Sequence, residues 1–374
     1  MLGDHVPARD GTTRTMEVQV ARRGTRLRTT GKALAAVGLA VAALWWLLPR
    51  TSGVSWSAVV HLIGGIAPHR LAGLAALWAC GLLVHSFVLT GALPGLSRRR
   101  ALTLSLTGSA VSNVAPMGGA LGVALNCSMA RTWRFRDRSF AAYLVVTNAW
   151  DVLAKLALPL VALVGLLTAG GLPTRGLRAG ALGASLLLLA LVAAWVTILR
   201  SDRVAAALAH LVAAAVRRAL PRAGAERGHR LAAAVLQTRL RIRGVVTRTW
   251  PQLTLGMAGY LTSLAALMWA CLHAAGAPVP VYAVLAGLAV ERLLSLAPVT
   301  PGGTGLAEAG TVGTLVALGA SPLPVVAGVL LYRAFTFVLE IPVGGLWLGL
   351  WLLLRARTGR SAGPRPGSAV RLPA

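Results

Sequence analysis

Residues 291–310, ERLLSLAPVTPGGTGLAEAG, decide how this chain is read, because Pro298, Pro301, Gly302, Gly303 and Gly305 interrupt an otherwise apolar segment. Proline removes a backbone donor and clashes with the preceding turn, and glycine adds no stiffness, so a helix must break here. A second break, SNVAPMGGALG over residues 112–122, sets Pro116, Gly118 and Gly119 in another apolar stretch. Backbone groups freed at membrane depth cannot face lipid and must be buried in protein or line a wet cavity. Two breaks in corresponding positions of a chain are the strongest sequence pointer to a transporter's substrate site.

The rest of the chain supports a membrane setting. It has 374 residues, 56% of them hydrophobic and 13% charged, with a mean hydropathy of +0.71. These values exclude a soluble domain and describe an all-α polytopic membrane protein. The net charge of +27 comes from arginines clustered between nearly uncharged apolar runs, the positive-inside pattern, and excludes nucleic acid as the partner. Cys80, Cys127 and Cys271 lie in apolar segments without metal-type spacing and read as small core hydrophobes.

Residues 1–32 form a basic, disordered cytoplasmic arm, and the apolar run 33–48 reads as the first span. An amphipathic piece follows at 56–68, then a span at 71–93 and a basic loop at Arg98, Arg99 and Arg100. The first broken segment, 101–130, runs into Arg131, Arg134, Arg136 and Arg138, so it starts and ends on the cytoplasmic side. Its first arm, at 1.5 Å per residue, reaches about 22 Å of the ~30 Å core, which favours a re-entrant hairpin over two full spans. Spans at 140–169 and 177–199 lead to a basic cytoplasmic loop at 200–250, whose Arg/Ala/Leu alternation suggests amphipathic helices on anionic inner-leaflet lipid, or a loop that only sets topology.

A span at 253–273 and an uncharged external loop at 274–280 precede the second hairpin, 281–320, which enters from outside. The last apolar segment, 325–354, ends at Arg355 and Arg357, and 355–374 form a basic cytoplasmic tail. Residues 33–354 thus make one membrane domain of about six to eight helices, with two oppositely entering hairpins in an inverted repeat. Both termini lie in the cytoplasm of a bacterial plasma membrane; the sequence leaves the oligomeric state, including a homo-oligomer, open.

Ionisable residues inside spans cost at least ~2.5–3.5 kcal/mol at a helix centre and are candidates for function by default. Asp151 and Lys155 stand four apart, share a helix face and read as an intramembrane ion pair. Glu291, Arg292, Glu308 and Arg333 converge around the second break, where guanidinium forks and freed amides suit a phosphate and carboxylates suit an ammonium or hydroxyl; the bland alternative is mutual neutralisation that holds the hairpin. Asn113 caps freed backbone groups at the first break or contacts the substrate. Glu340 completes the set of intramembrane ionisable groups. His85 and His273 read as hydrogen-bonded core residues, and Trp45, Trp46, Trp347 and Trp351 as interfacial anchors. Metal-ligand spacings, cofactor fingerprints and catalytic motifs are missing, so neither a metal, a cofactor nor an enzyme is expected.

The stretch ERLLSLAPVTPGGTGLAEAGTVGTLVALGA with LLYRAFTFVLEIPVGGLWLG resembles the C-terminal signature of the lysylphosphatidylglycerol synthase transmembrane region family. The matching positions of its Pro-Gly-Gly-x-Gly-x-x-Glu turn and Tyr-Arg span are Pro301, Gly302, Gly303, Gly305, Glu308, Tyr332 and Arg333. SNVAPMGGALG is similar to the family's first Asn-x-x-Pro-x-Gly-Gly element through Asn113, Pro116, Gly118 and Gly119. The resemblance implies a flippase-like domain that moves a phospholipid or lipid-linked head group between leaflets, without the soluble synthetase domain of the best-known members. Where many relatives have an arginine soon after the first Gly-Gly, this chain has Val123, Ala124, Leu125 and Asn126. Two other readings stand beside it: a secondary transporter of a small polar solute, and a non-transporting partner of a lipid-modifying enzyme.

Overall fold

A computed structural model describes residues 53–114, 118–169, 175–219, 224–296 and 304–360. The expected arm, the first span at 33–48, and the turn residues Pro116, Pro298, Pro301, Gly302 and Gly303 lie outside these residues. The described chain is helical, in the order α1 (Trp56–Gly64), α2 (Pro68–Ala92), α3 (Arg98–Val114), α4 (Gly118–Thr132), α5 (Asp137–Thr168) and α6 (Arg175–Arg200). It continues with α7 (Asp202–Ala219), α8 (Gly224–Ala274), α9 (Val281–Leu294), α10 (Leu306–Ala317) and α11 (Pro322–Arg333), then a π-turn at Ala334–Val338 and α12 (Glu340–Arg360). Helix starts carry familiar signals: Ser55 caps α1 through the Ala58 amide, and Pro68 and Pro322 occupy the first turns of α2 and α11.

Five stretches are long and apolar enough to cross a membrane: Pro68–Ala92, Asp137–Thr168, Arg178–Arg200, Ala232–Ala274 and Pro322–Arg355. With the run at 33–48 undescribed, this count is compatible with the expected six to eight. Both broken segments are helical hairpins whose arms pack on each other, α3 on α4 and α9 on α10. None of these arms exceeds 17 residues, or about 25 Å at 1.5 Å per residue, so each falls short of the ~30 Å hydrocarbon core.

The packing follows the expected repeat. α2 and α8, the helices that precede the two hairpins, pack against each other; α3 of the first hairpin packs on α12, and α9 of the second packs on α5. Each hairpin therefore rests on the helix that follows the other one, the exchange that a pseudo-two-fold axis requires. In each hairpin a polar side chain of the second arm reaches a carbonyl of the first: Asn126 Nδ2 donates to Leu104 O at 3.1 Å, and Thr311 Oγ1 to Gly287 O at 3.4 Å. The buried core divides accordingly into one cluster around α2, α4 and α5 and another around α8, α9 and α11.

The structure departs from the sequence reading in three places. The basic triplet Arg98, Arg99 and Arg100 forms the first turn of α3, not a loop. The amphipathic helices expected within 200–250 are present as α7 and the first half of α8, but α8 does not stop before the span 253–273: it is one 51-residue helix that runs through Pro251. Hydrogen bonds tie the helix to α2 on either side of that proline, from Thr249 Oγ1 to Gly91 O at 3.1 Å and from Gln252 Nε2 to Phe87 O at 2.9 Å. Finally, α12 runs to Arg360, so the first six residues of the expected tail are helical.

Arg239, which falls within the basic segment 200–250, is only 6% exposed. Its guanidinium donates to the α6 carbonyls of Ile198 and Leu199 and to Asp202 Oδ1, closing the end of α6. Arg239→Met leaves those carbonyls unpaired and is expected to cost about 1–3 kcal/mol, read as an earlier thermal transition of the detergent-solubilised protein. The same guanidinium, by hydrogen bonding and then by charge, holds the Asp202 carboxyl below its ordinary value. A depressed folded-state value means that this contact is intact at neutral pH and is lost as pH falls through it. The protection of the α7 amides, taken relative to the intrinsic exchange rate at each pH, should therefore stay constant from neutrality to about pH 4 and fall only below.

Candidate functional site

The second hairpin brings its charges together as the sequence suggested. Gly305, at φ +90°, turns the chain into α10 in a conformation that a side chain would strain. Three residues on, Glu308 folds back and accepts the Gly305 amide through Oε2 at 2.6 Å, so the carboxylate caps its own helix. Its other oxygen accepts from Arg333 Nε at 2.6 Å, and Arg333 Nη1 also donates to Glu291 Oε1 at 3.2 Å. Arg333 additionally lies over the Phe337 ring, 5.2 Å from its centre. Glu291 is 1% exposed and Glu308 2%, so one arginine on α11 ties both arms of the hairpin together in a desolvated pocket.

Arg292 behaves differently. Its Nη2 donates to the hydroxyl of the fully buried Tyr332 at 2.9 Å. Its Nε lies 2.7 Å from Glu291 Oε2, yet the N–H is not aimed at that oxygen and neither atom has a hydrogen-bond partner. Arg292 faces a polar cavity of about 210 Å³, shared with Trp78, His85, Ser105, Ser109, Tyr260, Thr336 and Glu340. The walls come from α2, α3, α8, α9, the π-turn and α12, so the first arms of both broken hairpins meet across this space.

Among the sequence candidates, the structure thus separates two sets. Glu291, Glu308 and Arg333 engage one another, whereas Arg292 and Glu340 line the cavity. Asn113 does neither: its amide donates to the Phe337 carbonyl at 3.4 Å, capping a backbone group of the π-turn that follows Arg333. Asp151 and Lys155 form the expected pair, Nζ to Oδ2 2.8 Å. Gly118 is the first residue of α4, and Gly119, the second, has open space around it. Trp347, read as an interfacial anchor, donates from Nε1 to Thr103 Oγ1 at 2.9 Å and joins α12 to α3. His273, half-buried, donates from Nδ1 to the Trp269 carbonyl at 3.0 Å.

Sequence reasoning gave no weight to Ser105, Ser109 and Tyr260, and read His85 as core. His85 stacks on Tyr260, ring centres 4.4 Å apart, and the pair forms one wall of the cavity. The packing of α2 on α3 and on α8 joins these residues, and nothing in their local spacing signals it. A larger cavity of about 760 Å³, almost wholly apolar, opens between α5, α6, α8 and α9. Its α8 residues, such as Met257, Ala258 and Leu261, lie on the side of that helix away from Tyr260 and Ser263, so it is separate from the polar cavity. Among the described residues no cluster of His, Cys, Asp or Glu has a metal-binding arrangement.

These features define a helical polytopic membrane protein with a buried charge cluster and a polar cavity between two broken hairpins. The chain belongs to the lysylphosphatidylglycerol synthase transmembrane region family, whose profile matches residues 33–344. Membership ties the protein to membrane-lipid metabolism. A comparison with curated proteins gave no match.

Proposed function

We propose that this protein moves the polar head of a phospholipid or lipid-linked molecule between leaflets, with the cavity beside Arg292 as the station at mid-membrane. The observation that carries this reading is the meeting of both hairpins at one polar space inside a protein whose family is tied to lipid. Arg292 offers guanidinium N–H groups to a phosphate, Glu340 accepts from an ammonium or hydroxyl, and Ser105, Ser109 and Tyr260 supply neutral partners. The Glu291–Arg333–Glu308 cluster holds the second hairpin in shape around this station. The chain acts as a transporter and not as an enzyme, in the plasma membrane of a bacterium, with both termini inside. On the cytoplasmic face the exposed Arg200, Arg203, Arg218, Arg243 and Arg248 rest on anionic lipid, each contributing about 1 kcal/mol.

The test is reconstitution into liposomes carrying fluorescent phospholipids of several head groups, with a membrane-impermeant quencher added outside. Quenching beyond the outer-leaflet share is expected for the wild-type chain. Arg292→Gln should reduce the rate at least tenfold, because that side chain faces the cavity, and should shift the thermal transition less than the loss of Arg333 does, because Glu291 keeps its bond to Arg333. Unchanged quenching in Arg292→Gln contradicts the site. If no head group moves, the function is wrong; uptake of a small polar solute into the same liposomes, or a stable complex with a lipid-modifying enzyme, would then take its place.

A further inference from the structure

The charges within the apolar stretches balance, with one exception. Asp151 pairs with Lys155, and Glu291 and Glu308 are matched by Arg292 and Arg333. Glu340 is the remaining carboxylate, and among the described residues no cation lies within 4.0 Å of it. An unmatched carboxylate at membrane depth costs at least ~2.5–3.5 kcal/mol, and the cheapest remedy is to take up a positive species.

Glu340 has the surroundings for that exchange. It lines the polar cavity, whose volume of about 210 Å³ has room for more than one water. The groups that face it are Trp78 and His85 from α2, Ser105 and Ser109 from α3, Tyr260 and Ser263 from α8, Arg292 from α9 and Thr336 from the π-turn, with Arg333 on the preceding helix. Ser109 and Trp78 are its polar neighbours. Its position also bears on the hairpins. Glu340 opens α12 directly after the π-turn, and Asn113, at the first break, is bonded to a carbonyl of that turn. π-turns within helices recur at functional sites. A change of charge at Glu340 therefore acts on the element that connects the two breaks.

We infer that Glu340 is a proton-carrying residue, taking a proton from water on one side of the membrane and releasing it to water on the other as the hairpins alternate. The carboxylate is protonated in one arrangement and ionised, facing Arg292, in the other; no bond other than O–H forms or breaks. The inference rests on the reading of the cavity as the transport station and adds its energy source, the proton gradient. The bland alternative is that Glu340 only favours the N-terminal end of α12 through the helix dipole.

Two measurements on the full chain decide it. The first is the infrared difference spectrum of the reconstituted protein between about pH 5 and pH 9, a window above the ordinary carboxylate range. A carboxylic-acid band that titrates in this window, disappears in Glu340→Gln and returns in Glu340→Asp is expected. Its absence from the wild type, or its persistence in Glu340→Gln, overturns the inference whether or not any lipid moves. The second is the quenching assay with an imposed pH difference. In the wild type the difference should skew the steady-state distribution of the lipid between leaflets, and a protonophore should abolish the skew. Glu340→Gln should lose the skew whatever rate of exchange it retains, and Glu340→Asp should keep it. Movement of lipid by the wild type that is indifferent to the pH difference overturns the coupling and leaves translocation standing. A skew that survives in Glu340→Gln overturns the residue.

Discussion

Arg333→Met is expected to cost about 3–5 kcal/mol of stability, the effect of breaking a buried ion pair by removing one partner. The side chain is 11% exposed and serves two carboxylates that are each 2% exposed. Without it, among the described residues, Glu291 is left with the misdirected contact with Arg292 and Glu308 with the Gly305 amide. The cost arises from the two stranded charges and not from the loss of an attraction alone, so the triple replacement Arg333→Met, Glu291→Gln and Glu308→Gln should recover much of the lost stability. Thermal unfolding in detergent, followed by the loss of monodisperse protein, measures both. A single Arg333→Met variant that unfolds with the wild type would show that the cluster does not hold the hairpin. Lipid movement should fail in Arg333→Met together with stability, whereas in Arg292→Gln it should fail with a smaller loss of stability.

The second large effect is at Gly344. A β-carbon there would collide with the Leu106 carbonyl and the Ala110 methyl, so α12 lies directly on the backbone of α3. A carbonyl cannot move aside as a flexible side chain can, and Gly344→Val forces the two helices apart at about 1–3 kcal/mol or more. These helices carry Ser105, Ser109 and Glu340, three residues of the cavity wall. The variant should therefore unfold earlier and also lose lipid movement. Gly349→Val, five residues along on the same helix with open space around it, should do neither. Equal behaviour of the two valine variants would contradict the observed approach of α12 to α3.

How far the residues announce this arrangement depends on the range of the interaction. The breaks were legible because Pro and Gly act locally, and Asp151 with Lys155 was legible because four residues make a helical turn. The convergence of Glu291, Glu308 and Arg333 was also legible, since a break between short arms brings their ends together. Their division of labour was not. That Arg333 is consumed by two carboxylates while Arg292 is left facing a cavity depends on how α11 is rotated against the hairpin, which no local spacing encodes. The cavity wall was hidden for a similar reason. His85 and Tyr260 lie far apart in sequence and meet only because α2 and α8 pack across the repeat axis. Arg239 was misread as a surface residue because its acceptors, the last carbonyls of α6, are backbone atoms and leave no trace in the residue pattern. The length of α8 was missed because Pro251 normally ends a helix, and here the helix continues through it, with bonds to α2 on either side.

The central claim is that lipid heads pass through the cavity between the hairpins, and blocking that cavity tests it most directly. Ser109→Cys places a thiol in the cavity wall, whereas the native Cys80 is exposed on α2. Both the variant and the wild-type chain are treated with a bulky thiol reagent in liposomes, and the rate of lipid quenching is followed. The account predicts that the reagent stops lipid movement in Ser109→Cys and leaves the wild-type rate unchanged. Undiminished movement in the fully labelled Ser109→Cys variant would contradict it.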